Sequence, residues 1–328
     1  MRHRAGRRAD RRDAAPPGAD LGLAAFTVVN AAAAVVSSFG VLLVLRVLAG
    51  LAAAACTPAA VAIAAEVAPE ERRGRYLALV TGGLTVALVA GVPAGTWLGG
   101  EYGWRSTMVF VALLGAVSLA GAAGVPFMPA PPSLGLRRRL APLAVPAVAR
   151  LLAATVVSGI GGMMMLTYLF PVLREAGGVG HQQMTALFTL YGVAGTAAAW
   201  LGGRGADRWG PYRTLVAALA GYGVTLWAAA ALTMAGGVPS AVLGVVVVLL
   251  ALAAWAINPP LQSMMYGFAR GAAAEAMALA TAALFTGASL GGAMGGILLD
   301  GWGPAAIPLA GGVLLLVAVP LIPRRASS

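Results

Sequence analysis

Arg46 stands inside the apolar run Val41 to Val67 with no Asp or Glu near it in that run. A guanidinium placed deep in lipid costs at least about 2.5 to 3.5 kcal/mol on insertion scales, so it needs a partner. That partner must come from another helix, from backbone carbonyls or from a water-filled cavity. Such a residue either takes part in a charge-coupled step or anchors two helices by hydrogen bonding. A second feature is Asn258-Pro259-Pro260, followed by Gln262. Two prolines free backbone groups beside Asn258, and irregular backbone at membrane depth is tolerated mainly where it lines a cavity. Asn30, Thr85, Tyr168 and Tyr191 are the other polar or aromatic residues within apolar runs that could contact a small molecule. Their ordinary role is to bond their own backbone or reach the membrane interface. Met163, Met164 and Met165 suit an adaptable apolar pocket and equally suit simple packing.

Glycines supply a different kind of function. Gly82, Gly83, Gly91, Gly95 and Gly99 recur along one run with Pro93 among them, and Gly287, Gly291, Gly292, Gly295 and Gly296 recur along another. Small residues at helical spacing let helices approach closely, while the proline removes one backbone hydrogen bond and bends its helix. Smooth faces of this kind fit tight packing and also moving interfaces.

Other chemistries are excluded by what the chain lacks. None of its 11 acids sits clearly in the middle of an apolar run, His3 and His181 lie outside the runs, and Cys56 is the single cysteine. That leaves no disulfide within the chain, no cysteine-based metal site and no convergent acid, base or nucleophile cluster expected of an enzyme. Neither a phosphate-binding Walker loop nor an HExxH zinc motif is present. No cofactor or metal is expected.

The elements that carry these residues follow from composition. Of 328 residues 60% are hydrophobic and 10% charged, and the mean hydropathy is +0.86. A chain of this size could not make so apolar a surface soluble in water, so its partner is the lipid bilayer. About 20 apolar residues cross a hydrocarbon core of about 30 Å as a helix. Ten runs meet that need: 21–39, 41–67, 76–99, 107–125, 151–173, 184–201, 214–234, 241–257, 276–299 and 305–322, with Gly40 as the turn between the first two and the eighth continuing toward Phe268. They are apolar throughout rather than alternating, which excludes a β-barrel. The expected fold is an all-α polytopic membrane protein.

All 22 basic residues are arginine, and they give a net charge of +11. With ten spans, 19 of them fall on the side of the N-terminus, Arg105 and Arg174 fall opposite, and Arg46 remains inside. Positive residues concentrate on the cytoplasmic side, so both termini are expected in the cytoplasm. The arginines sit in short gaps instead of forming a basic face with interleaved aromatics, which argues against nucleic acid as a partner. A signal peptide over the first run is the alternative reading of the basic start.

An internal repeat organises the chain. Gly203-Arg204-Gly205-Ala206-Asp207-Arg208-Trp209-Gly210 lies between two spans, and Gly6-Arg7-Arg8-Ala9-Asp10-Arg11 reproduces its Gly-x-x-Ala-Asp-Arg core. This pair resembles the loop motif that the major facilitator superfamily carries between the second and third helices of each six-helix half. The first copy has Asp13 where a later glycine belongs, followed by Pro16-Pro17. Further along, RVLAGLAAAACTPAAVAIAAEVAPEERRGR from Arg46 is similar to the family's fourth helix and its loop, and GVPAGTWLGGEYGWR from Gly91 to its fifth. TYLFPVL resembles the seventh, and NPPLQ and GASLGGAMGGILLDGWG the tenth and eleventh. The overall likeness is to the drug:proton antiporter branch that includes arabinose-efflux-permease-like proteins.

The resemblance implies a two-half helical bundle: a basic tail at 1–20, an N-terminal half at 21–125, a linker at 126–150, a C-terminal half at 151–323 and a short tail at 324–328. It implies secondary transport of a small molecule (a drug, sugar or metabolite), export energised by the proton gradient, a monomer, and a bacterial-type plasma membrane. Arg46 and Gly50 match the fourth helix's Arg-x-x-x-Gly, where the arginine is implicated in proton coupling. Gly91, Pro93 and Gly95 match the fifth-helix antiporter motif, although the strict form has Gly and Pro adjacent. Gly203, Asp207, Arg208 and Gly210, with Gly6, Asp10, Arg11, Arg72 and Arg73, become gating-loop candidates, and Gly291 and Gly295 packing residues. In the second half two whole spans run between Ala147 and Gly203, whereas only Met1 to Ala5 precede Gly6. That spacing implies absence of the family's first two helices, through either a late start or a true truncation. The latter would leave a transport-incompetent fragment or scaffold.

Overall fold

The computed structural model describes residues 19–67, 69, 83, 86–122, 135–269 and 271–324. Gly6, Asp10, Arg11, Arg72 and Arg73 lie outside them, as do Gly82 and Thr85. Among the described residues every regular element is helical. Within those residues six helices are long and apolar enough to cross a membrane, and three shorter apolar helices accompany them. The remaining expected run, 76–99, falls partly outside the described residues. The chain divides into two compact units, 1–86 with 98–133 and 87–97 with 134–328.

In the first unit, α1 (Ala19–Val35) packs against α2 (Phe39–Val67) and α4 (Trp104–Ala122). The break between α1 and α2 falls at Val36-Ser37-Ser38, not at Gly40, which lies inside α2. The physical reason is that serine competes for backbone hydrogen bonds and favours helix ends, whereas an apolar helix keeps its glycines helical so that each N–H stays paired. The Leu42 N–H accordingly bonds the Ser38 carbonyl at 3.0 Å. Gly115 of α4 allows close approach to α1, since a Cβ there would lie 2.6 Å from Thr27 Oγ1. Arg105 donates to the Val36 carbonyl at 3.1 Å and stacks over Trp104.

The segment around Pro93 is locally distinctive. A π-helical turn, Ala87–Gly91, leads into α3 (Val92–Tyr102). A proline at 93 cannot donate to the carbonyl four residues back, and a wider turn just before it accommodates that loss. Gly91 ends the wide turn, so the glycine and proline of the expected hinge occupy its exit.

The second unit continues with a short basic helix α5 (Leu136–Leu140), then α6 (Pro146–Thr167), α7 (Leu169–Gly177), α8 (His181–Trp209) and α9 (Pro211–Ala235). It ends with α10 (Ser240–Trp255), α11 (Asn258–Phe268), α12 (Ala273–Trp302) and α13 (Ala306–Ala318). The expected span 151–173 is interrupted at Tyr168, where α6 gives way to α7. The core joins α6 to α12 through glycine contacts. Cβ atoms at Gly287 and Gly291 would lie 2.6 and 2.5 Å from the carbonyls of Val156 and Ile160. Gly161 and Gly311 similarly bring α6 against α13. With lipid as solvent, such backbone contact and the dispersion it brings replace the hydrophobic effect as the force holding helices together.

Polar links close one end of this unit. Arg150 donates to the Pro320 carbonyl at 3.0 Å, and Arg324 Nε donates to the Tyr212 hydroxyl at 3.1 Å. The Tyr212 bond raises the Arg324 guanidinium above its ordinary pKa. Arg138 of α5 lies 4.0 Å from Glu275 in the first turn of α12.

Candidate functional site

In the first unit the partner that Arg46 requires is Asn30. Arg46 Nη2 donates to Asn30 Oδ1 at 2.9 Å, while Asn30 Nδ2 donates to the Phe26 carbonyl at 2.7 Å. The second bond fixes the amide so that its oxygen must face α2. Asn30 is 1% exposed, and the Nε of Arg46 is buried with no hydrogen-bond partner. Asn30 is a candidate for cargo contact by sequence, yet its amide is committed on both sides. Gly50, one turn beyond Arg46, has open space where a Cβ would stand.

A cavity of about 210 Å³ lies within the second unit. It is walled by α6, α8, α9, α12 and the broken helix formed by α10 and α11. The break explains why a cavity forms there. Pro259 and Pro260 cannot donate to the carbonyls of Trp255 and Ala256, so the helix opens into turns at 256–257. Gly202 of α8 packs directly on that opening, where a Cβ would lie 2.6 Å from the Ala256 carbonyl oxygen. Gly195 makes room for the Trp255 ring in the same way.

Tyr191, Asn258 and Gln262, together with Met163, line this cavity. Tyr168 does not. Its hydroxyl donates to the Gly292 carbonyl at 2.7 Å, and its ring fills the space that a side chain at Gly295 would need. Tyr168 and Gly295 therefore form one packing unit, and the phenol is spent within the fold. Reading the chain as a sequence missed Trp255 and Tyr222, both of which line the cavity. Trp255 was discoverable as the large aromatic just ahead of the Asn258-Pro259-Pro260 break. Tyr222 gave no signal beyond being an aromatic in an apolar run.

Among the described residues, no charged side chain lines the cavity. Several of its hydroxyls are internally satisfied: Thr155 bonds the Leu151 carbonyl at 2.8 Å, Thr281 that of Met277 at 3.0 Å, and Tyr222 that of Gly162 at 3.4 Å. Burial of Tyr222 at 3% exposure leaves its ring as wall.

The repeated motif at 203–210 is mostly helix, not loop. Gly203 to Trp209 form the last turns of α8, and Gly210 alone makes the turn into α9 with φ +84°. A side chain there would be strained, so this glycine is required by the backbone. Within the motif Gly205 packs on Thr214, whereas Gly203 is nearly open. Arg204 lies 3.3 Å over the Trp200 ring. Asp207 and Arg208 are exposed and form no ion pair with a described residue.

A family profile described as Major Facilitator Superfamily matches residues 5–275 and 151–327. The chain belongs to the major facilitator superfamily. It is 30% identical over 305 residues to the inner membrane transport protein YdhP of Escherichia coli strain K12, covering 92% of this chain and 76% of YdhP. It is 36% identical over 279 residues to a chloramphenicol resistance protein of Streptomyces lividans, covering 81% of this chain and 68% of that one. Its fold is similar to the crystal structure of a bacterial homologue of the human lysosomal transporter Spinster in an inward-facing, occupied conformation. That match has a TM-score of 0.62 at 16% identity and covers 94% of this chain and 80% of that one. As a member of this superfamily the chain is a membrane-embedded, helical transporter whose cargo is a small molecule.

Proposed function

We propose that this protein exports a small, uncharged organic molecule by alternating access, in exchange for protons moving down their gradient. The observation that carries this reading is the cavity of the second unit, which combines aromatic and amide groups with no charged side chain among its described residues. An apolar cavity with a few placed polar groups is the usual form of a small-molecule site. Similarity to a protein named for chloramphenicol resistance supports removal of a toxic compound as the physiological direction.

Arg46 is assigned the coupling role. Its only hydrogen-bond partner among the described residues is the neutral Asn30 amide, and its buried Nε has none, which leaves a donor for an anionic or dipolar partner during the cycle. Gly91 and Pro93 act as a hinge at the π-helical turn, Gly291 and Gly295 hold α12 against α6, and the 203–210 motif serves as a gate at the end of α8. The arginine distribution and the inner membrane relative support a bacterial plasma membrane with both termini in the cytoplasm.

The test is transport by the purified chain in proteoliposomes loaded with radiolabelled chloramphenicol. An imposed proton gradient should accelerate its movement, and a protonophore should abolish that acceleration. Binding without gradient-dependent movement would refute coupling, and a chain that moves nothing would favour a non-transporting scaffold.

A further inference from the structure

The geometry points to Asn258 and Gln262 as a paired-amide reader that selects uncharged ring compounds carrying an amide-like edge, in which a hydrogen-bond donor and an acceptor lie side by side. This inference rests on the transport reading above and names the class of cargo.

Both residues lie on α11 four positions apart, and both border the cavity. That spacing puts their side chains on one helical face, about 5 to 6 Å between Cβ atoms. Each amide offers an acceptor oxygen and two N–H donors. Neither makes a hydrogen bond to another described residue, in contrast to Thr155, Thr281 and Tyr222, whose hydroxyls are already spent on backbone carbonyls. Ser158 likewise bonds the Thr155 carbonyl, and the Tyr191 and Trp255 side chains pair with each other, so the uncommitted polar side chains of this wall are these two amides.

The surroundings narrow what they would read. Trp255 and Tyr191 border the same cavity and present aromatic surface, which favours a flat ring by stacking. The absence of Asp, Glu, Arg or His from the described lining leaves a full charge without a counter-charge there. The volume of about 210 Å³ falls short of a typical drug-sized pocket, so the space takes a one- or two-ring moiety. Nucleobases and aromatic amides share this chemistry: planar, neutral, with adjacent donors and acceptors.

The experiment measures equilibrium binding to the full chain in nanodiscs with four radiolabelled probes. Guanosine and nicotinamide are the neutral probes, benzamidine the cation and salicylate the anion, each small enough for the cavity. The wild type should prefer the neutral pair by at least tenfold. Asn258→Leu and Gln262→Leu should each weaken that pair by about tenfold, as expected for a lost hydrogen bond that also leaves its partner unpaired. The near-isosteric Asn258→Asp with Gln262→Glu preserves shape and should invert the preference toward the benzamidine cation, a change that mere loss of packing would not produce. Equal or tighter binding of either ion by the wild type would overturn the proposal. Failure of both neutral probes to bind, or unchanged affinity in the leucine variants, would do the same. Binding with the expected selectivity but no movement in proteoliposomes would instead overturn the transport reading and leave the amide reader standing.

Discussion

Arg46 and Asn30, 16 residues apart on neighbouring helices, are joined by a 2.9 Å hydrogen bond in which the partner of the guanidinium is a neutral amide. A carboxylate in the same place would neutralise the guanidinium and hold it more tightly, because charge-assisted pairs in low dielectric are stronger and harder to separate. The amide instead satisfies one donor and leaves Nε buried without a partner. Such an arrangement stabilises insertion of α2 while keeping the arginine available for exchange.

Arg46→Ala should abolish proton-coupled transport with membrane insertion intact, because the apolar run improves when the charge is removed. Equal gradient-driven transport by the mutant would refute the coupling role. Asn30→Asp separates coupling from anchoring: it should raise thermal stability in detergent while slowing turnover about tenfold or more, since the arginine would be pinned. A variant both stable and fully active would show that the bond is structural only.

Gly291 and Gly292 are neighbours with opposite expectations. A Cβ at Gly291 would stand 2.5 Å from the Ile160 carbonyl and 3.1 Å from the Met164 nitrogen, whereas one at Gly292 meets nothing within 4 Å. Gly291→Ala should therefore destabilise the α6 and α12 pair by about 1 to 3 kcal/mol, the usual penalty of overpacking a rigid contact. Gly292→Ala should be neutral or slightly stabilising, as alanine is the better helix former. Paired thermal unfolding curves in one detergent check this, and equal midpoints would mean that α12 slides to absorb the added methyl group.

How much was legible before any coordinates depended on whether a residue's role is set along the chain or across it. That Arg46 needs a partner follows from its own apolar surroundings, but the choice of Asn30 does not, because no period relates residues on two separate helices. The amides of Asn258 and Gln262 were readable from the double proline beside them. Tyr168 looked equally available, yet its hydroxyl is consumed by Gly292 on α12, far away along the chain. Glycine spacing revealed the α12 face, while the repeat drew attention to Gly203, although Gly202 is the residue that packs on Ala256. A motif marks a segment, and the packing register within it is decided by the neighbour.

Tyr168 and Tyr191 now carry different expectations. Tyr168→Phe deletes the bond to the Gly292 carbonyl. Loss of one such bond should cost about 0.5 to 1.5 kcal/mol of stability with little change in cargo affinity. Tyr191→Phe removes a hydroxyl of the cavity wall together with its bond to Trp255 and should lower affinity for a ring-bearing cargo as well as stability. Unfolding should shift in both variants, and binding should fall only in Tyr191→Phe if this division holds. A matching affinity loss at Tyr168 would place that side chain in the cargo path after all.

Sidedness can be settled with a single thiol. Cys56 is the only native cysteine, so Cys56→Ser gives a blank background. The turn at Gly210 is flanked by Arg204, Arg208 and Arg213, while the turn at Gly236-Gly237 at the other end of α9 has no arginine near it. Positive residues resist translocation, so the first turn should face the cytoplasm and the second the opposite side. Ser240→Cys, exposed at the start of α10, should react with a membrane-impermeant maleimide in intact cells. Arg208→Cys, exposed near the end of α8, should react only after the cells are opened. The helix between them, α9, has the length and apolar character to span once. The two sites therefore cannot share a side without its leaving the bilayer. Labelling of both sites in intact cells would overturn the ten-span arrangement, and the reverse pattern would place both termini outside.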